Sequence, residues 1–210
     1  MGNCTNRTEE TDDEFAVLQD LKSDRDGNIA LKDPKSIIVN QSVKYEGQLE
    51  DQKANGKGKL VTDTYTYYGK WTNGKPNGIG EVVFKDGSHF KGHLEDGKPN
   101  GPGEFKKANG FVYHGDFEDG LFNGHGEAEW PNGSRYKGGF KAGYFEGEGE
   151  FTFADGRIYK GGYEQGVKHG EGTVFFDDGR EVRGRWKNGK MTTKGILIKD
   201  GVVLEKAKID

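Results

Sequence analysis

The residues that could do chemistry in this 210-residue chain are few and scattered. Gly69-x4-Gly74-Lys75, Gly92-x4-Gly97-Lys98 and Gly184-x4-Gly189-Lys190 have the spacing of a phosphate-cradling loop. Such a loop needs Ser or Thr next, to ligate Mg2+, and a helix behind it. Here Pro76, Pro99 or Met191 follows, so the three segments are turns. Asp24-Arg25-Asp26-Gly27-Asn28 begins like a calcium loop. Ile29 stands where that loop needs Gly, and Lys35 where it needs a bidentate Glu, so this too is a loop without a cation. The five histidines, His89, His93, His114, His125 and His169, fall at five different phases of the repeat described below and converge on no metal. Neither Gly-x-Ser-x-Gly nor His-Glu-x-x-His occurs. The expectation is a non-enzymatic chain with no catalytic residues, no metal and no cofactor.

One cysteine excludes an internal disulfide and a cysteine-based zinc site. Its place is informative. Met1-Gly2-Asn3-Cys4 has the form of a dual-acylation start, with Gly2 myristoylated after removal of Met and Cys4 palmitoylated, although Asn6 replaces the usual Ser or Thr. One acyl chain anchors only marginally, so a second signal is required. Glu9, Glu10, Asp12, Asp13 and Glu14 follow, which excludes a polybasic signal and leaves Cys4 to supply it. With no apolar run long enough for a span or a signal peptide, the expectation is a cytosolic protein held at a membrane by its lipids.

The acidity is confined to the beginning: residues 1–40 carry five basic and nine acidic side chains, and the remaining 170 are balanced. Neither part offers the basic face that nucleic acid requires. Aromatics make up 12% of the chain, too many for a disordered one, and the 36 glycines with only five prolines exclude collagen. Gly-rich, aromatic-rich composition points to short strands and many tight turns.

A 23-residue period explains that composition. Tyr67-Tyr68-Gly69-Lys70-Trp71 recurs from Phe90, Tyr113, Tyr136 and Tyr159; Tyr45 opens a first copy one residue short, and Val182 a last. Twenty-five of the 36 glycines occupy five fixed phases of the unit. Tyr67, Gly69 and Trp71 share one strand face, Asn73-Gly74 supplies a turn, Gly80-Val82-Phe84 forms a second strand with an apolar face, and Asp86-Gly87 turns into the next copy. Each copy is a hairpin with one aromatic and one wet face. A lone hairpin is marginal in water, so the copies must pair edge to edge. About thirteen or fourteen strands of about five residues give an aromatic face near ~1,100 Å², more than the ~300–600 Å² that soluble monomers leave exposed. The ribbon must coil around that face, or something must cover it.

Tyr67 to Gly80 resembles the repeat of the MORN (membrane occupation and recognition nexus) family, and the resemblance extends over about residues 45–195. The fold expected is all-β: an elongated, single-layer, twisted or coiled antiparallel sheet of stacked β-hairpin repeats with a short N-terminal helix. Its parts are an acylated, flexible N-terminus (1–13), a cap whose helix carries Phe15, Leu18 and Leu21 (14–44), an array of about 6.5 repeats (45–195) and a closing hairpin about Asp200-Gly201 (196–210).

The resemblance implies a scaffold whose aromatic groove holds an extended or helical protein segment, and ribbons that pair into homodimers. The groove residues expected are Tyr67, Trp71, Phe90, Tyr113, Phe117, Trp130, Tyr136, Phe140, Tyr159 and Tyr163; the bland alternative is that these rings hold the sheet together. A second reading is direct phospholipid binding, with Arg180, Arg183, Arg185, Lys187 and Lys190 as the one basic stretch for head groups. A third, implied by relatives in radial spokes, is an axonemal or cytoskeletal component.

Overall fold

The computed structural model describes residues 30–33, 36–38, 43–192 and 195–207. Gly2, Cys4, the calcium-like loop and the helix expected over 14–22 lie outside the described residues. Within them, all regular structure is β-strand.

Two compact units are present, divided between Leu121 and Phe122. The N-terminal unit contains β1 (Ala30–Asp33), β2 (Ser36–Ile38), β3 (Lys44–Glu50), β4 (Lys53–Val61), β5 (Tyr65–Thr72), β6 (Lys75–Phe84), β7 (His89–Glu95), β8 (Lys98–Lys106) and β9 (Val112–Glu118). From β1 to β8, each pairs antiparallel with the strand that follows it. The C-terminal unit contains β10 (Leu121–Glu129), β11 (Arg135–Lys141), β12 (Tyr144–Thr152), β13 (Ile158–Glu164), β14 (Val167–Phe175), β15 (Arg180–Lys187), β16 (Lys190–Met191), β17 (Gly195–Lys199) and β18 (Val202–Ala207). It has the same pattern from β10 to β15, which pairs with both β16 and β17, and closes with the β17–β18 hairpin about Asp200-Gly201.

Two kinds of turn alternate, and each follows from its residues. The turn within a repeat places both central residues at positive φ, as at Asn73 (52°) and Gly74 (82°) or Asp96 (50°) and Gly97 (86°), the type I′ loop whose twist suits a two-residue hairpin. The turn between repeats needs only its Gly at positive φ. Gly87 N–H donates to the Phe84 carbonyl at 3.1 Å, and the Asp86 carboxylate accepts from the Ser88 N–H at 2.7 Å. Asn109, Asn132, Asp155 and Asp178 repeat that side-chain bond, which is why this phase is always Asp or Asn. Hydrogen bonds from Arg157 hold the Asp155 carboxyl below the usual carboxylate range, and those from Arg180 do the same for Asp178.

Between the turns five hairpins carry the same bulge. Gly69 faces Gly80 and Trp71 faces Pro76, so Lys70 alone opposes the three residues 77–79. The same slip falls at Gly47/Leu49, Gly92/Leu94, Gly138/Phe140 and Gly161/Tyr163. Bulges bend a strand and add twist, and these recur at one level of the ribbon.

That level is also a row of glycines facing one another from strand to strand, for example Gly126, Gly138, Gly149, Gly161 and Gly172. The row makes room for rings. A Cβ on Gly149 would lie 2.5 Å from Tyr136 Oη and 2.6 Å from its Cε2; one on Gly138 would lie 2.7 Å from Gly149 Cα. The Tyr136 ring therefore lies flat on the sheet, covering backbone that no side chain shields. Its hydroxyl donates to the Gly139 carbonyl at 2.9 Å, at the bulge. Tyr45, Tyr67, Tyr113 and Tyr159 make the same bond to Gln48, Lys70, Asp116 and Gly162. Burial pushes the Tyr45 phenol up to about 12 and the others higher still, so each stays a donor.

The core of each unit is this row of rings. Tyr136 stacks on Phe145 at 3.7 Å and meets Phe140 and Tyr163 edge-on at 5.1 and 5.3 Å; Tyr67 meets Trp71, and Phe117 meets both Phe90 and Tyr113, in the same way. Strands of about five residues were the expectation; most observed strands run to 7–10 residues, and the second strand of each hairpin continues through the bulge.

Candidate functional site

Nine of the ten expected groove residues are core. Tyr67, Trp71, Phe90, Tyr113, Phe117, Tyr136, Phe140, Tyr159 and Tyr163 are at most 6% exposed, and Trp130 is half-buried. In this conformation they contact one another and present no surface to a partner. Trp71 Nε1 and Tyr163 Oη, and Trp186 Nε1 beside Tyr159, are buried with no hydrogen-bond partner among the described residues.

The basic stretch is likewise engaged. Arg180 is held by Asp178 at 2.7 Å, Arg183 by Glu181 at 2.6 Å and Arg185 by Glu171 at 3.0 Å, while Lys187 and Lys190 are exposed and meet no such carboxylate among the described residues. Three of the histidines face separate carboxylates: His89 with Glu81, His114 with Glu104 and His169 with Glu164. Among the described residues no three His, Cys, Asp or Glu side chains come together as a metal site, and no helix is long and apolar enough to cross a membrane. The segments that mimic phosphate loops are the type I′ turns at Gly74, Gly97 and Gly189.

One cation does enter the aromatic row. Lys168 stands at the phase that holds Pro76, Pro99, Phe122 and Phe145 elsewhere. Its ammonium lies 4.6 Å from the ring centre of Tyr159, 4.7 Å from Trp186 and 4.8 Å from Phe153. Three π-faces replace part of the water that the charge gives up.

The surface that breaks the pattern is on the outer face of the N-terminal unit. Tyr68 is 44% and Ile79 66% exposed. At the phase of Tyr68 the other repeats carry Glu46, Lys91, His114, Lys137, Lys160 and Arg183; at that of Ile79 they carry Lys57, Pro102, His125, Glu148 and Glu171. The two exposed side chains line an open depression of about 490 Å³ with Glu46, Lys57, Lys59 and Lys70, over the backbone of Gly58 and Gly69. Lys59 leans over the Tyr68 ring at 5.3 Å. Lys57, Lys59 and Lys70 form no ion pair with any described residue, and neither does Lys91, whereas Lys106 pairs with Glu104, Lys137 with Glu127 and Lys160 with Glu150. Glu46 is taken by Lys44 at 2.7 Å, whose hydrogen bond holds its carboxyl below the usual range. This site went unnoticed in the sequence because an isolated Tyr or Ile is unremarkable; its signal is departure from the phase.

No curated protein matches the chain. Among solved structures, it is similar to the TCP domain of Drosophila melanogaster SAS-4 in complex with a proline-rich motif of Ana2, at 12% identity and a TM-score of 0.45 over 89% of this chain and 99% of that one. The TCP10 domain of Danio rerio CPAP gives 13% identity and a TM-score of 0.35 over 87% of this chain and 100% of that one. The MORN-repeat profile matches seven times, at residues 45–65, 67–89, 90–112, 113–135, 136–156, 159–179 and 183–201, in step with the hairpins described above. The chain belongs to the MORN-repeat family.

Proposed function

We propose that this MORN-repeat chain is a non-catalytic scaffold that binds a protein segment on its outer face and is tethered to the cytosolic side of a membrane through Gly2 and Cys4. The observation that carries the binding reading is the depression about Tyr68 and Ile79: exposed apolar side chains, ringed by cations with no ion-pair partner, at phases that are polar in most other repeats. The aromatic row supports that surface by rigidifying the ribbon beneath it. The tether rests on the sequence Met1-Gly2-Asn3-Cys4.

Cross-linking in cells with the full chain and with Tyr68→Ser/Ile79→Ser tests the binding. A protein partner lost in the double variant, with melting unchanged, is the expected result; an identical cross-linked set rules out this face. Fractionation of Gly2→Ala and Cys4→Ser tests the tether. Both variants are expected in the soluble fraction, and unchanged membrane partitioning refutes acylation.

A further inference from the structure

The geometry points to the chemistry of the partner: we infer that the Tyr68–Ile79 depression takes an acidic peptide segment carrying one aromatic or large aliphatic anchor. This rests on the protein-binding reading above and specifies its ligand. Lys57 and Lys59 lie on β4, Lys70 and Tyr68 on β5, and Ile79 on β6, so the cations flank the apolar pair on the side toward β3. Lys57 faces Lys70 and Lys59 faces Tyr68 across the β4–β5 ladder. Two like charges directly opposite are a cost in a sheet, and a carboxylate between Lys57 and Lys70 removes it.

The apolar half supplies the anchor. A side chain laid on Tyr68 and Ile79 covers surface that now faces water, against the outward side of the Gly58 and Gly69 backbone. A volume of about 490 Å³ accommodates a few side chains; small-molecule sites of ~300–1,000 Å³ bury their ligands more deeply, so an open dish suits a peptide. A flat anionic membrane fits less well. Glu46, Glu81 and Glu104 are interspersed among the lysines of that face and would be repelled by a charged leaflet.

The test is fluorescence titration of the full chain with a labelled twelve-residue peptide holding one Trp among Glu and Asp. Controls carry Lys for every acid, or Ser for the Trp. The expected result is saturable binding of the first peptide alone, weakened about 10-fold or more by Tyr68→Ser/Ile79→Ser or by Lys70→Glu, and weakened by salt. Equal binding of the Ser-for-Trp peptide overturns the anchor; equal binding of the Lys peptide overturns the charge assignment. Co-sedimentation with phosphatidylserine vesicles that depends on Tyr68 and Ile79, without peptide binding, reassigns the site to lipid and overturns the inference. So does peptide binding that appears only when Glu9, Glu10, Asp12, Asp13 and Glu14 are changed to Gln and Asn, since the chain's own acidic stretch would then be the occupant. Failure here with cross-linking still lost in the double variant leaves the binding face standing and removes only its acidic ligand.

Discussion

Tyr136 donates its hydroxyl to the Gly139 carbonyl at 2.9 Å while its ring lies across Gly138 and Gly149. One residue thereby caps the bulge and shields the backbone beneath it. Tyr136→Phe keeps the ring and leaves the Gly139 carbonyl without that donor, which should cost about 1–2 kcal/mol. Gly138→Ala forces a methyl against Gly149 Cα, where neither backbone can yield, and should cost more, about 2–3 kcal/mol. Denaturation midpoints of the two variants check the order; equal stability of Gly138→Ala and the wild type would refute the flat-ring arrangement.

Ala142 stands in a type I′ turn at φ 48°, where four sister repeats have Asn73, Asp96, Asp119 and Asn188 and one has Gln165. A left-handed conformation costs most residues roughly 1–2 kcal/mol, and Asn adopts it readily. Ala142→Asn should therefore stabilise by about 1 kcal/mol and raise the melting temperature by roughly 2–4 °C for a chain of this size. Calorimetry decides it, and a lowered melting temperature would count against the turn assignment.

Stability should fall steeply on the alkaline side. The unfolded chain releases its phenolic protons near pH ~10, whereas burial holds the Tyr45 proton up to about 12 and those of Tyr67, Tyr113, Tyr136 and Tyr159 beyond that. Above pH ~10 the unfolded state thus binds fewer protons than the native one, and stability declines as pH rises. The contribution is complete below pH ~10, and Tyr45's share is lost on the way to about 12. Urea midpoints from pH 8 to 11.5, read with tyrosinate absorbance, test this; ionisation of these phenols without unfolding would be the contrary result.

Lys168 lets charge and packing be separated. Lys168→Met keeps the length of the stem among Phe153, Tyr159 and Trp186 and removes the cation, at an expected cost of about 1 kcal/mol. Lys168→Ala also empties the space and should cost about 2 kcal/mol or more. If Met proves more stable than Lys, the three rings hold the stem and not its charge.

Much of this architecture was legible in the chain. The period set the hairpins, and Asn73-Gly74 and Asp86-Gly87 announced two different turns. What stayed hidden was the use of the Gly-x-Gly phase. Glycine at an inward position signals close approach without saying of what, and here Gly80 and Gly69 receive the ring of Tyr67 from within the same hairpin. Because the rings lie down, the aromatic row closes on itself, and the residues that looked like a groove became core. The depression was hidden for the opposite reason: Tyr68 and Ile79 carry no motif, and their departure from the polar residues of their phases gains meaning only with their exposure.

Successive turns are also tied to one another. Gly97 N–H bonds the Pro76 carbonyl, Gly120 that of Pro99, Gly166 that of Phe145 and Gly189 that of Lys168. In each case the bond reaches back by about one repeat and no farther. A nascent chain can thus zip each hairpin onto the last as it leaves the ribosome, without waiting for a distant segment. Whole repeats can be gained or lost over generations at little cost to the remainder, while a residue inserted between a ring and its glycines would unseat that ring and leave its neighbours in place.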